Sequence, residues 1–481
     1  MKLLYVHYNK DRKMRNFITP NDEGIIADSD SRSIQNAVDE AVRLDLRKVV
    51  IPRINERTGK ALWETDEAII LPSDIEIVLD NCYIRQADGS MDNVFRNFDD
   101  ENVRSTLAEE QRNITIRGEG NAVIDGGKHN GLTQKNSRKD GMPHVEKNNL
   151  IRFHNLRGFK LQNFTLLNQR WWAVNLNYVE EGLISGLRIE CSNAQHNQDG
   201  IDLRAGCNNI ILENLVGHAG DDFIALTGFF GTTETDKYHV EGKSCDIHDI
   251  VIKNIVATSA ECTMIGIRNH DGLKIYNVTI DGVHDTVSSE QLANKNPSFV
   301  FNFDLNSCKS PKSPYATIRI GQSGFVHTKE NALGDTYGIH VTNIHTRTNS
   351  AILLNETLKD SYFGNIYAGA DVDRVITTKS CRTHQIYGCD MENVVFENIF
   401  YSPADPENSV AFDFDINERR RTLKNVFIKN AFVGNVGVAV DMKLDGALNI
   451  SGLYGEGVKE KIKCDSGAEI ILDGETLSSA R

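Results

Sequence analysis

The 481-residue chain has little with which to lock itself covalently. Its nine cysteines are Cys82, Cys191, Cys207, Cys245, Cys262, Cys308, Cys381, Cys389 and Cys464. They are scattered, odd in number and contain no Cys-x-x-Cys pair. That pattern excludes a disulfide framework or a zinc ribbon and suits reduced thiols. No apolar run approaches the ~20 residues that a spanning helix needs. The opening stretch Met1–Lys10 has an apolar patch broken by His7, too short for a signal-peptide core. The expectation is a cytoplasmic protein. Positive charge is also scarce: 53 Lys and Arg stand against 67 Asp and Glu, a net charge of −14. Such a surplus excludes nucleic acid and anionic membranes as general partners, and a polyanionic substrate would need a local basic patch.

What the chain does have is a repeat. Its unit is apolar–x–apolar–x–Asn–apolar–x–apolar, found around Asn163, Gly186, Asn214, Asn254, Asn277, Asn343, Asn365, Asn398 and Asn425. The shortest spacing is 22 residues, from Asn343 to Asn365, and the longer ones mark loops inserted into single units. Alternation of period two predicts strands, and the Asn and Gly punctuation predicts tight turns. Asn tolerates left-handed backbone, and stacked Asn amides can bond along a ladder. Leucine-rich repeats share the period, but their fixed consensus is missing. The pattern predicts an all-β, right-handed parallel β-helix, a single-stranded solenoid in one domain over 1–481. Residues 1–112 form an N-terminal cap and entry coils, 113–457 the core coils with a site at 170–275, and 458–481 the C-terminal end. Helical spacing of Ile34, Val38, Ala41 and Val42 predicts a capping helix over 31–46, with Ser31 or Ser33 as its N-cap. Segments 128–150, 227–247 and 284–336 are expected as loops walling a cleft.

The chain is organised around 196–226. Asp199-Gly-Ile-Asp-Leu lies over Asp222-Phe-Ile-Ala-Leu at an offset of 23 residues, one repeat. Residues one coil apart stack at about 4.8 Å, so Asp199 and Asp222 share a column with Trp172, and Asp221 lies beside them. Carboxylates held so close repel, which raises the pKa of one and lets an acid and a base coexist near neutrality. Aligning the neighbouring strands puts Asn175, Asp202, Ala225 and Arg268 on a second column.

Four stretches resemble glycoside hydrolase family 28, the polygalacturonase-like group of the pectate-lyase-like β-helix superfamily. Ser33-Ile-Gln-Asn-Ala-Val-Asp-Glu-Ala is similar to its N-terminal helix, and Ile116-Arg-Gly-Glu-Gly-Asn-Ala-Val-Ile-Asp-Gly-Gly to its entry coils. Asn197-Gln-Asp199 matches the family's Asn-x-Asp motif, and Gly220-Asp221-Asp222 its Asp-Asp motif. The resemblance implies inverting hydrolysis of a glycosidic bond in a uronic-acid or pectin-derived oligosaccharide. Asp221 is then the general acid, while Asp199 and Asp222 activate water. No cofactor and no metal are implied. The family's Gly-His-Gly motif is absent, with His218 and His239 as stand-ins. Its Arg-Ile-Lys motif is matched only by Arg268-Asn269-His270, with Arg268 as the substrate-binding charge. Asn197, Asp202, Asn175 and Trp172 complete the expected sugar-binding set, with Trp171 and Trp172 as a stacking face. Two other functions fit the same scaffold: a lyase or uronate epimerase holding Ca²⁺ on the carboxylates, and a non-catalytic carbohydrate-binding β-helix.

Overall fold

The computed structural model describes residues 15–99, 109–191, 197–230, 238–260, 262–270, 272–286, 316–321, 331–347, 350–379, 388–416, 421–465 and 467–478. It is a right-handed parallel β-helix. Each strand pairs with the one a coil earlier and the one a coil later. One run of pairing joins Lys48–Pro52 to Ile75–Asp80, then to Gln111–Glu119 and on to Ile151–Gln162. The last described strands, Ala468–Leu472 and Glu475–Ser478, close the far end as an antiparallel pair. Val, Ile and Leu at alternate positions point inward and form one continuous core along the axis. Each such side chain contributes on the order of 1.5–3 kcal/mol on burial.

The helix α1 spans Asp30–Arg43 and buries Ile34, Ala37, Val38 and Ala41 against the first coils. It covers the open end of the stack, where a bare coil would expose edge and core. Its cap is Ser29, whose side chain accepts from the Arg32 N–H, not the expected Ser31 or Ser33. Ser31 instead donates to Asp66 at 2.7 Å, tying the helix to the coil beneath it.

The Asn repeat resolves into two ladders. Asn163, Asn214, Asn254, Asn343, Asn365, Asn398 and Asn430 line one bend, and Asn113, Asn209, Asn277, Asn393 and Asn425 another, all with left-handed backbone. Amides bond along both: Asn254 donates to Asn214 at 3.2 Å, Asn365 to Asn343 at 3.1 Å and Asn425 to Asn393 at 3.0 Å. Asn277 and Asn425 therefore do not continue the Asn163 column, as the repeat implied. Two bends five residues apart carry the same local signature, so spacing alone merges them.

The expected loop 284–336 contains a strand, Ala316–Ile320, which is one coil of the helix. Residues 287–315, 322–330 and 231–237 of the expected loops lie outside the described residues. The described cysteines are free thiols.

Candidate active site

The site sits on the sheet made by Val174–Leu176 (within the longer strand Val174–Ser185), Ile201–Leu203, Ile224–Gly228, Ile265–Asn269 and Ala316–Ile320. Period-two alternation turns Ile201, Leu203, Ile224, Leu226, Ile265 and Ile267 into the core. The residues between them face outward. Arg152, Asn175, Asp202, Ala225, Gly266 and Arg319 stack on successive coils as one column. Asp199 and Asp222 enter the same strands three residues earlier. Ala173 N–H bonds the Asp199 carbonyl and Gly200 N–H the Asp222 carbonyl, so Trp172, Asp199 and Asp222 do share a column.

Arg268 does not lie on the Asn175 column. It pairs with Thr227, and Gly266 occupies the place expected for it. The cause is the insertion after Gly228, across which the strand Ile265–Asn269 enters two residues earlier than its apolar pattern suggests. Arg268 nevertheless reaches the cluster: its guanidinium forms an ion pair with the Asp222 carboxylate and donates to Thr227 Oγ1 at 3.3 Å. Burial opposes the charge on Arg268, but Asp222 and the other carboxylates outweigh it and hold the guanidinium firmly protonated.

The remaining support is specific. Asn197, in left-handed backbone, turns its amide onto Asp221 Oδ2 at 3.1 Å. Gln169 donates to the backbone carbonyls of Gln198 and Asp199 at 3.1 and 3.0 Å, and Gln198 returns a bond to the Gln169 carbonyl. Thr263, stacked over Asp222 on the next coil, gives its N–H to Asp222 at 3.2 Å. Ser259 anchors the Asp221 carbonyl at 2.6 Å.

Electrostatically the cluster is strained toward holding protons. Burial, then the charges of Asp221, Asp202 and Asp222, push the Asp199 carboxyl well above the usual range. Burial does the same to Asp202, opposed mainly by Arg204. Neither oxygen of Asp202 has a hydrogen-bond partner among the described residues. Asp221, Asp222 and Cys262 bring one ligand atom each within 4.8 Å of one another. That mixed set suits a soft ion better than the all-oxygen shell of Ca²⁺.

The other candidates have neighbours of their own. His239 bonds Tyr178 Oη at 3.1 Å, beside Cys245. His218 stands in register with Glu190 and Thr258 on a neighbouring sheet. His270 is buried, 3.6 Å from Glu356 and in edge contact with Phe229. Trp172 does not present a clear sugar-stacking face: Arg204 lies 4.8 Å from its ring centre and Trp171 packs at 5.5 Å. Arg204, Thr263, Cys262 and Arg319 were not foreseen. Arg319-Ile320 carries the Arg-Ile of the expected motif one coil beyond Arg268, with Gly321 in the Lys place. The alternation Ile318-Arg-Ile320 was the available signal, concealed inside a segment taken for a loop.

With this geometry in view, residues 90–242 match the model of glycosyl hydrolases family 28, a span holding Asp199, Asp221 and Asp222. The chain resembles family 28. Its coarse class is that of a glycoside hydrolase on a β-helix. Among curated protein sequences no relative matches. Among solved structures, a tailspike mutant of E. coli bacteriophage HK620 in complex with hexasaccharide aligns at 12% identity and TM-score 0.54, covering 95% of this chain and 80% of that one. A Yersinia enterocolitica family 28 exopolygalacturonase aligns at 14% identity and TM-score 0.48, covering 96% and 79%. PfbA, a surface adhesin of Streptococcus pneumoniae, aligns at 12% identity and TM-score 0.47, covering 95% and 88%. At these identities the likeness of the tailspike bears on the fold alone.

Proposed function

We propose that the chain hydrolyses a glycosidic bond in a uronic-acid-containing, pectin-derived oligosaccharide with inversion at the anomeric carbon. The observation that carries this reading is the set Asp199, Asp221 and Asp222 on adjacent coils, with Arg268 as the countercharge of Asp222. Asp221 is the least buried of the three and accepts the Asn197 amide at Oδ2; it is the carboxyl that hands a proton to the glycosidic oxygen. Asp222 and Asp199 flank the place of the attacking water. Inverting enzymes commonly hold their carboxyls roughly 6.5–9.5 Å apart; Asp221 and Asp222 bring an oxygen each within 4.8 Å of one another, so the inverting outcome rests on the family resemblance and not on this spacing.

Arg319 is a further candidate for the uronate clamp: it stands on the Asp202 column one coil beyond Arg268, its Nε donating to the Gly321 carbonyl at 3.0 Å. Ala225 and Gly266 separate Asp202 from Arg319 on this column by about three coil steps, roughly 14 Å at 4.8 Å per step, with Thr263, Asp222 and Arg268 packed over Gly266. A sugar carboxylate lying there would meet the planar fork of Arg319 at one end. The test is to incubate the protein with pectin-derived oligosaccharides and follow the first-formed anomer by proton NMR. Inverted product supports the reading. Retained product, or an unsaturated product absorbing in the ultraviolet, defeats it. A Ca²⁺-dependent lyase is disfavoured by the thiol in the carboxylate cluster.

A further inference from the structure

Buried polar atoms without partners are rare in proteins, because each loses its bonds to water and gains none. Here several of them lie together on two neighbouring columns. Beside the Arg152–Asn175–Asp202 column runs a second one holding His154 and Asn177. His154, Asn175, Asn177 and Asp202 are all buried to within 2% of complete. Both ring nitrogens of His154, Nδ2 of Asn175, Oδ1 of Asn177 and both oxygens of Asp202 have no hydrogen-bond partner among the described residues. The indole N–H of Trp172 is in the same state. Aromatic rings cover the patch where water would otherwise sit. Phe98 and Tyr238 each pack at 5.6 Å on the His154 ring, and the same two rings flank the Arg152 guanidinium at 5.0 and 4.5 Å.

We propose that His154, Asn175, Asn177 and Asp202, with Trp172 at the edge, form a subsite for a neutral sugar ring on the N-terminal side of the catalytic carboxylates, and that Phe98 and Tyr238 swing aside to admit it. The proposal rests on the glycosidase reading and names the class of one sugar in its substrate. Donors and acceptors alternate across the patch at coil spacing, about 4.8 Å, and sugar hydroxyls both donate and accept. The aromatic cover supplies a face for the sugar's C–H side. A uronate is disfavoured here, because the neighbouring cations are engaged, Arg152 with Glu146 and Arg204 with Asp202 and the Trp172 ring. Burial and the neighbouring Arg152 push His154 down to about 3, so it offers a neutral imidazole.

The test is calorimetric titration of the intact protein with the methyl glycosides of galactose, rhamnose and glucose, and with galacturonate as the charged probe. Emission of the three tryptophans gives a second readout through Trp172. One neutral glycoside should bind with a change in emission, and galacturonate at least about tenfold more weakly. His154→Phe and Asn177→Leu should each weaken that binding about tenfold, the scale of a lost hydrogen-bonded contact, while melting no lower than the parent. A merely structural role predicts the reverse, lower melting with unchanged sugar binding, and that result in whichever variant folds would overturn the subsite. So would galacturonate binding as tightly as the neutral glycosides, or no neutral glycoside binding to a protein that cleaves its oligosaccharide. Neutral-sugar binding that persists in a protein with no hydrolytic activity would instead sink the glycosidase reading and leave the subsite standing.

Discussion

The column through Asp202 continues along the same sheet to Asp413 and Asp441. The two ends of it balance charge differently. Near the C-terminus each acid has a cation within reach: Asp413 pairs with Arg374, Asp415 lies 3.0 Å from Lys443 and 3.3 Å from Lys379, and Asp441 lies 3.6 Å from Lys463, although burial still raises Asp441. Around 199–222 four carboxylates converge, Asp202 has no hydrogen-bond partner, and burial pushes Asp199 and Asp202 upward. A scaffold keeps its charges neutralised in pairs; a cluster left uncompensated costs stability and persists where chemistry uses it.

The largest expected effect at the unpaired end is catalytic. Asp221→Asn should lower turnover by about 10²–10⁴-fold, the range for loss of a general acid, with an unchanged melting temperature. Steady-state kinetics on pectin-derived oligosaccharides checks this. Next, Arg319→Ala should raise KM for a uronide by roughly 10–100-fold with little change in kcat, as for a lost charged hydrogen bond of about 1.5–3 kcal/mol. An unchanged KM would move the clamp elsewhere.

A smaller effect concerns pH. Arg268 is the cation holding the Asp199 carboxyl down against burial and three acidic neighbours. In Arg268→Ala the Asp199 value rises further, so less of it is ionised at a given pH. The acid limb of the pH–rate profile should therefore move to higher pH. A limb that stays put would remove Asp199 from the base role.

The smallest effects are on stability, and they carry opposite signs at the two ends. Asp202 titrates above its unfolded value of about 3.9, so its burial costs stability as pH rises through that value and beyond. Asp202→Asn should melt higher than the parent at neutral pH, with the gain fading in acid. For Asp415, burial works upward but Lys443 and Lys379 outweigh it, and the folded value is lowered. Its contribution is present above the unfolded value and is lost as pH falls through the folded one. Asp415→Asn should therefore cost stability at neutral pH, by no more than about 1 kcal/mol for partly exposed pairs. Thermal melts across pH 3–8 check both.

The fold and the acid column were legible because they rest on local rules. Period-two alternation sets which side chains face out, and the offset from Asp199 to Asp222 is a single coil without an insertion. Arg268 was misplaced because an insertion intervenes, and no local rule fixes register across one. Arg319 was missed for the same reason, its strand being flanked by long segments on both sides. The partners of His239 and His270, Tyr178 and Glu356, lie 61 and 86 residues away in the chain. Only the folded structure brings them together.

The comparison between the two ends is tested most directly by assaying Asp222→Asn and Asp413→Asn side by side on one oligosaccharide, with melting curves for both. The account predicts that Asp222→Asn remains folded and loses most of its turnover, while Asp413→Asn keeps parental kcat and KM. Near-parental turnover in Asp222→Asn, or an equal loss of activity in both, would contradict it.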